Sequence, residues 1–115
     1  MKEGDVALAV LPQVDQRVKR RPVIVLRELP QHRDVLVCGI STQLQQRTEA
    51  FDEVISPADF DFNRSGLLSE SLIRLGFLVV LPRSRIAGSI GSVSPARHRR
   101  LLRALARYLT INIPG

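Results

Sequence analysis

Tryptophan is absent from this chain of 115 residues, and aromatic residues make up only 4% of it, so the core has to be aliphatic. The single cysteine excludes an intramolecular disulfide and argues against a metal site built from thiolates. No apolar run approaches the roughly 20 residues that a membrane-spanning helix needs. The first residues, MKEGDVALAV, lack the apolar stretch and the cleavage site of a signal peptide. We therefore expect a cytoplasmic protein with one domain over residues 1–115.

Acidic residues are missing from the C-terminal part of the chain. From Ser71 to Gly115 there are eight arginines and no acid, whereas the segment from Glu49 to Glu70 holds six acids and one arginine. The net charge is +6. This distribution is typical of a surface that attracts phosphates or an acidic partner, and charge alone does not choose between the two.

Short apolar segments separated by turn residues predict a mainly β fold. The expected strands cover residues 5–11, 22–29, 34–41 and 51–55, with one or two more within residues 66–81. The polar residues 12–21 predict a loop, and residues 42–50 predict a ragged strand or hairpin. Ser56 and Pro57 predict one helical turn, and GSIGS at residues 88–92 predicts a turn. Six or so short strands in a chain of this length indicate a small barrel.

The C-terminal segment has the pattern of an amphipathic helix of about four turns. Ser94 and Pro95 fit its N-cap and its first position. Leucines follow helical spacing on one face, and arginines recur at positions 99, 103 and 107 on another. We expect these arginines to form a solvated face, with contact to phosphate or to an acidic partner as the alternative.

Three strand positions carry candidate functional side chains, although the chain has no Gly-rich phosphate loop, nucleophile elbow or metal-ligand spacing. Pro22 fits the first residue of a strand and favours an extended backbone for Arg21, directly before the strand. Ser41 and Thr42 follow the next apolar run, where hydroxyls can donate to phosphate oxygens. Arg74 lies in SLIRL, where strand alternation separates its side chain from its apolar neighbours. His32, His98 and Cys38 fit ordinary surface and core positions.

The stretch RVKRR, residues 17–21, places four cations directly before an apolar run. A solvated loop that leads into a strand is one interpretation. The other is a rim of positive charge at the mouth of a site for a polyanion. In that interpretation Arg17, Lys19 and Arg20 bind RNA, together with Thr42 and Gln43 at the end of the third strand.

The order of these motifs resembles the MazF/PemK toxins, the endoribonuclease halves of bacterial toxin–antitoxin pairs. The resemblance runs from Gly4 to about Ile111 through GDVALAVLP, KRRPVIVL, RDVLVCGIST, SLIRL and LPRSRIAGSIGSVSPARHRRLLRALARYL. Its most specific parts are GDV at the start, RP at residues 21–22 and the hydroxyl residue after VCGI. The segment SRIAGSIGSVSP is similar to the Gly-x-Leu-Ser segment of the family.

The resemblance implies a fold, an activity and partners. The fold would be mainly β, a small SH3-like barrel of the MazF/CcdB type with short helices and a C-terminal amphipathic helix. The activity would be metal-independent and cofactor-free cleavage of single-stranded RNA by a homodimer. Arg21 and Ser41 would bind the scissile phosphate, and Arg74 matches an arginine given the role of acid in some members. A cognate antitoxin would neutralise the toxin with an acidic, flexible tail that folds on binding.

Two departures from the family remove polar chemistry from one wall of this site. Gly76 stands where some members carry an aspartate proposed as the general base, and FLVV at residues 77–80 replaces Gln-x-Arg-Thr. The base is therefore unassigned, with Glu70 and His32 as candidates. Two other functions stay open. One is a family member that binds RNA or protein without cleaving RNA. The other is a gyrase poison, which is supported only by analogy of fold.

Overall fold

The computed structural model describes residues 1–12 and 18–114 and consists of one curved antiparallel sheet with helices packed against it. The strand order is β4-β5-β3-β2-β1-β6. The strands are β1 (Asp5–Pro12), β2 (Val18–Glu28), β3 (Val35–Ser41), β4 (Glu53–Ile55), β5 (Ser71–Leu81) and β6 (Ile86–Ser92). The helices are α1 (Phe62–Ser65) and α2 (Pro95–Thr110), with 3-10 turns at Leu44–Gln46 and Arg83–Arg85. The mainly β fold with short helices and a C-terminal helix, as predicted, is confirmed.

The sheet is buried on both faces by aliphatic side chains. Along β2, Ile24 and Leu26 enter one apolar cluster, and the alternating Val23 and Val25 enter a second cluster on the opposite face. The first cluster also contains side chains of both edge regions and of α2, among them Ile55, Val93, Leu101 and Leu105. Because residues from opposite edges of the sheet share one cluster, the sheet has to curl around it.

An irregularity in β5 produces much of this curvature. Gly39 pairs with Arg74 and the preceding Cys38 pairs with Leu78, so three residues of β5 bulge out between the two pairs. A bulge bends its strand and increases the local twist. The buried Asp52 holds this bulge, because its Oδ1 accepts a hydrogen bond of 3.0 Å from the Leu75 N–H. Its Oδ2 accepts from the Thr48 N–H at 2.9 Å.

Helix α2 begins as the sequence predicts, with Ser94 as N-cap and Pro95 as first residue. The Ser94 side chain accepts a hydrogen bond from the Arg97 N–H. Leu101 and Leu105 then bury the apolar face of the helix against the sheet. Sixteen residues make about four turns, as expected.

Strand β2 begins at Val18, four residues before the predicted start at Pro22. The cationic residues 18–21 were expected in a loop, but they continue the ladder with β1 through the pairs Ala9↔Arg21 and Leu11↔Lys19. Exposed long cationic side chains are tolerated there because the backbone bonds with β1 do not depend on side-chain polarity.

Three further local predictions were wrong. GSIGS at residues 88–92 belongs to β6, where Gly91 allows a close approach, since a Cβ there would lie 2.2 Å from the Arg64 carbonyl oxygen. Ser56 starts a turn, not a helix, because its N–H bonds to the Asp59 side chain, and α1 follows only after Asp61. Residues 42–50 contain a 3-10 turn and no strand.

Candidate active site

A cavity of about 820 Å³ opens between β1, β2, β3 and β5. This volume is in the range of small-molecule and cofactor pockets. The cavity brings together the three residues that sequence reasoning singled out for chemistry, which are Arg21, Ser41 and Arg74. They come from three neighbouring strands, β2, β3 and β5, so the sheet itself fixes their spacing.

Arg21 reaches the cavity from the middle of β2. Pro22 and Val23 follow it along the same wall. The preceding Lys19 and Arg20 are exposed and are absent from the cavity lining, although both were predicted to bind RNA. The predicted Arg17 lies outside the described residues.

Ser41 ends β3 with its hydroxyl at the cavity. Its Oγ accepts a hydrogen bond of 3.0 Å from the Gln43 N–H, which leaves the hydroxyl proton available for donation. Gln43 also lines the cavity, and its side-chain oxygen accepts from Gln45 Nε2 at 2.8 Å. Thr42, which was predicted beside these residues, is exposed and does not line the cavity.

Arg74 is half-buried at the last regular pair before the bulge of β5. Its Nε is buried and has no hydrogen-bond partner within the described residues. A buried donor without an acceptor costs about 1–3 kcal/mol. An anionic ligand in the cavity would remove this cost, because Nε–H would then donate to one of its oxygens.

The charges that line the cavity are positive throughout the described part of the chain. They belong to Arg21, Arg74 and Arg85, and the described lining includes no carboxylate. Sequence reasoning missed Arg85, which follows β5 in a 3-10 turn. The arginine pair in PRSR was visible as charge, but its return to the cavity depends on the bend of β5.

The acidic segment of the chain is engaged elsewhere, around Arg97. This buried guanidinium binds Asp61 at 2.9 Å, Asp59 at 3.0 Å and Glu53 at 2.9 Å. Burial acts to raise the pKa of Asp61, but hydrogen bonds from Arg97 and the Ser94 N–H outweigh it and hold that pKa below its ordinary value. The pKa of Arg97 is raised: burial opposes the charged form, but the bonds to Asp61 dominate. The cluster therefore has a structural role.

The other wall of the cavity is apolar. Phe77, Val79 and Leu81 alternate along β5 and face the cavity, together with Leu11 from β1. Phe77 is 41% exposed, and its ring lies over Gly39. Phe77 and Val79 of this wall belong to the FLVV segment, residues 77–80.

The two candidate bases do not line the cavity. His32 is exposed in the turn between β2 and β3, and Glu70 is exposed just before β5. His98 is half-buried and structural, since its Nε2 bonds to the Leu26 carbonyl oxygen at 2.8 Å. Burial raises the pKa of the Cys38 thiol to about 12, so this core residue stays protonated.

Residues 1–12 and 18–114 contain no group of three or more His, Cys, Asp or Glu side chains placed to hold a metal ion. In the same part of the chain, no helix has both the length and the apolar character needed to cross a bilayer.

Comparison with known families gives one match that spans most of the chain. The family described as PemK-like, MazF-like toxin of type II toxin-antitoxin system matches residues 2–109. A comparison with curated protein sequences gives no match.

Several solved structures share the fold across almost the whole chain. The Mycobacterium tuberculosis toxin MazF-mt6 is 22% identical with a TM-score of 0.68, over 95% of this chain and 99% of that one. An endoribonuclease in complex with its cognate antitoxin, from a mycobacterial species, is 19% identical with a TM-score of 0.70, over 99% of both chains. An endoribonuclease from a mycobacterial species is 19% identical with a TM-score of 0.66, over 99% of this chain and 95% of that one.

Proposed function

The chain belongs to the PemK-like, MazF-like toxins of type II toxin–antitoxin systems, and we propose that it is an endoribonuclease that cleaves single-stranded RNA. One observation carries the proposal: Arg21, Ser41 and Arg74 line a single cavity, and the charged residues of its lining, within residues 1–12 and 18–114, are arginines. Such a cavity suits a phosphodiester, whose negative charge increases in the transition state. Two relatives of the same fold are described as endoribonucleases.

The proposed reaction is attack of a ribose 2′-hydroxyl on the adjacent phosphorus. The P–O2′ bond forms, the bond to the 5′-oxygen of the next nucleotide breaks, and the products carry a 2′,3′-cyclic phosphate and a 5′-hydroxyl. Arg21 and Arg74 stabilise the added charge on the non-bridging oxygens through charge-assisted hydrogen bonds. The reaction needs no metal ion, because guanidinium groups supply the positive charge.

Ser41 and Arg74 have further roles in this proposal. The Ser41 hydroxyl is oriented by the Gln43 N–H and donates its proton to a phosphate oxygen. Arg74, whose Nε lacks a partner within the described residues, acts as the acid that gives a proton to the leaving 5′-oxygen, which becomes the 5′-hydroxyl. The group that takes the 2′ proton is not assigned, since neither Glu70 nor His32 lines the cavity.

We propose further that the RNA strand continues from the cavity past the exposed cations at the start of β2. Lys19 and Arg20 are exposed and directly precede Arg21 in β2, and the exposed Thr42 and Gln43 directly follow Ser41. Exposed cations of this kind hold successive phosphates of a single strand. Arg17 belongs to the same proposed path.

The proposal includes the assembly state and the inhibitor. The toxin acts as a homodimer of single-domain chains, and a cognate antitoxin neutralises it. The antitoxin inserts an acidic, flexible tail, whose carboxylates compete with RNA phosphates for the cavity arginines. One solved relative is described in complex with its cognate antitoxin, which supports this expectation.

Cleavage of a labelled single-stranded RNA in EDTA tests the proposal. We expect products with cyclic phosphate ends from the wild-type protein, and a loss of about 100- to 1,000-fold in kcat/KM for Arg21→Ala and for Arg74→Ala. Arg103→Ala is the matched control, because it removes the same charge from the exposed face of α2.

Each other outcome has a defined meaning. Tight RNA binding without any cleavage would identify a binding module in place of a nuclease. Equal activity of Arg21→Ala and the wild type would show that the cavity is not the active site. Equal losses in Arg21→Ala and Arg103→Ala would indicate that only overall charge matters.

A further inference from the structure

The cavity is much larger than one phosphate group needs, and most of its lining surface is apolar. Phe77, Val79 and Leu81 contribute to this apolar surface along β5, and arginines line the same cavity. A ligand that fills the space has to carry negative charge on one side and a flat or apolar body on the other.

Phe77 is placed as an exposed platform. A Cβ at Gly39 would lie 2.9 Å from Phe77 Cδ1 and 3.2 Å from Phe77 Cγ, closer than side chains normally approach. Only a residue without a side chain lets the ring rest against β3, two residues from Ser41. The ring is thus supported on one side and remains 41% exposed.

The bulge of β5 is the reason that Arg74 and Phe77 share one cavity. In a regular strand, residues three apart point to opposite faces. The extra residues of the bulge break this alternation, so that a cation and an aromatic ring from one strand both line the site.

We propose that the Phe77 wall binds a nucleobase of the RNA strand next to the phosphate that the arginines hold. Stacking on an aromatic side chain is how proteins hold unpaired bases, and every base offers a flat face. A nucleotide carries an anionic phosphate and a flat base, which match the arginines and the apolar side chains of this cavity. This inference rests on the proposed function and adds to it a base subsite that differs from the polar wall described for the family.

Binding of two uncleavable probes of equal charge tests the subsite. One is a 2′-O-methyl hexanucleotide with all four bases mixed at each position, and the other is an abasic 2′-O-methyl ribose-phosphate hexamer. We expect Phe77→Leu to weaken binding of the base-bearing probe roughly 5- to 150-fold and to leave the abasic probe unaffected. Phe77→Tyr should bind both probes like the wild type. Leu78→Ala is the control, because Leu78 is similarly exposed, at 39%, and does not line the cavity.

Three results would overturn the proposal. Equal weakening of both probes by Phe77→Leu would assign the ring a purely structural role. An unchanged affinity for both probes would place the bases elsewhere. If Phe77→Leu kept the RNA affinity of the wild type but changed the sedimentation coefficient of the protein, or lost affinity for an acidic peptide, the wall would belong to a protein interface. Failure of the proposed function looks different, since the wild-type protein would then bind neither probe or would bind without any dependence on Arg21.

Discussion

Gly39 and Gly76 lie close together in the fold, and the structure gives them opposite tolerance to a side chain. A Cβ at Gly39 would collide with the Phe77 ring, whereas a Cβ at Gly76 would meet nothing within 4 Å. The structure therefore has no steric requirement for glycine at position 76.

A matched pair of alanine substitutions tests this difference. We expect Gly39→Ala to destabilise the protein by about 1–3 kcal/mol, because the added methyl group overpacks the site and displaces the ring. Gly76→Ala should leave the free energy of unfolding unchanged or raise it by about 0.4–1 kcal/mol, because it restricts the unfolded chain. Urea unfolding measures both. Similar effects of the two substitutions would contradict the placement of Phe77 over Gly39.

Single residues are also the scale at which the sequence carries its clearest local signals. Arg21, Ser41 and Arg74 each follow from a local signal, namely a proline, the end of an apolar run and strand alternation. Their presence in one cavity agrees with those signals. Phe77 and Arg85 join them through the bend of β5, which depends on contacts distant in sequence, such as the bond between Asp52 and the Leu75 N–H. No local pattern carries that information.

At the scale of elements, helix α2 is attached to the acidic segment by a buried ion pair. Arg97 Nε and Ser94 N–H both donate to Asp61 Oδ2, at 2.9 and 3.0 Å. A cation in the first turn of a helix is unfavourable to the helix dipole, and Arg97 lies in the first turn of α2. The structure explains Arg97, whose charge is compensated by the carboxylates of Asp61, Asp59 and Glu53.

The lowered pKa of Asp61 predicts an acid-dependent loss of stability. In the unfolded chain this carboxyl titrates at about 3.9. Because its folded pKa is lower, its contribution is fully present above the unfolded pKa and is lost as the pH falls through the folded pKa. We expect the free energy of unfolding to decrease below about pH 4 and to vary much less with acid in Asp61→Asn.

Urea unfolding between neutral and acidic pH measures this dependence. Asp61→Asn should also cost about 3–5 kcal/mol near neutral pH, since it leaves the buried Arg97 without its main partner. Glu49→Gln is the control, because the Glu49 side chain is 85% exposed and lies 3.9 Å from Arg47. An equally steep acid dependence in Asp61→Asn and the wild type would assign the effect to other carboxylates.

For the whole molecule, the distribution of charge matters more than the net value of +6. In the central acidic segment, Glu53 forms ion pairs with Arg97 and Arg100. Arg85, in contrast, has no ion pair among the described residues and lines the cavity. The strand beginning at Val18 adds further exposed cations beside the same site. Their position in β2 was not predictable, because a cationic stretch predicts a loop unless its pairing with β1 is known.

Salt dependence of RNA binding shows which cations contact phosphates. Each phosphate contact to a single strand contributes about 0.7 to the slope of log affinity against log salt. We expect Arg85→Ala to reduce the magnitude of that slope by about 0.7 for the uncleavable abasic hexamer, because one counterion release is lost. Arg103→Ala should leave the slope unchanged, since this arginine lies on the exposed face of α2 and is absent from the cavity lining. A reduced slope in Arg103→Ala with none in Arg85→Ala would move the RNA path from the cavity to the arginines of α2. In that case the buried Arg74 Nε, which has no partner among the described residues, would not be explained by RNA binding.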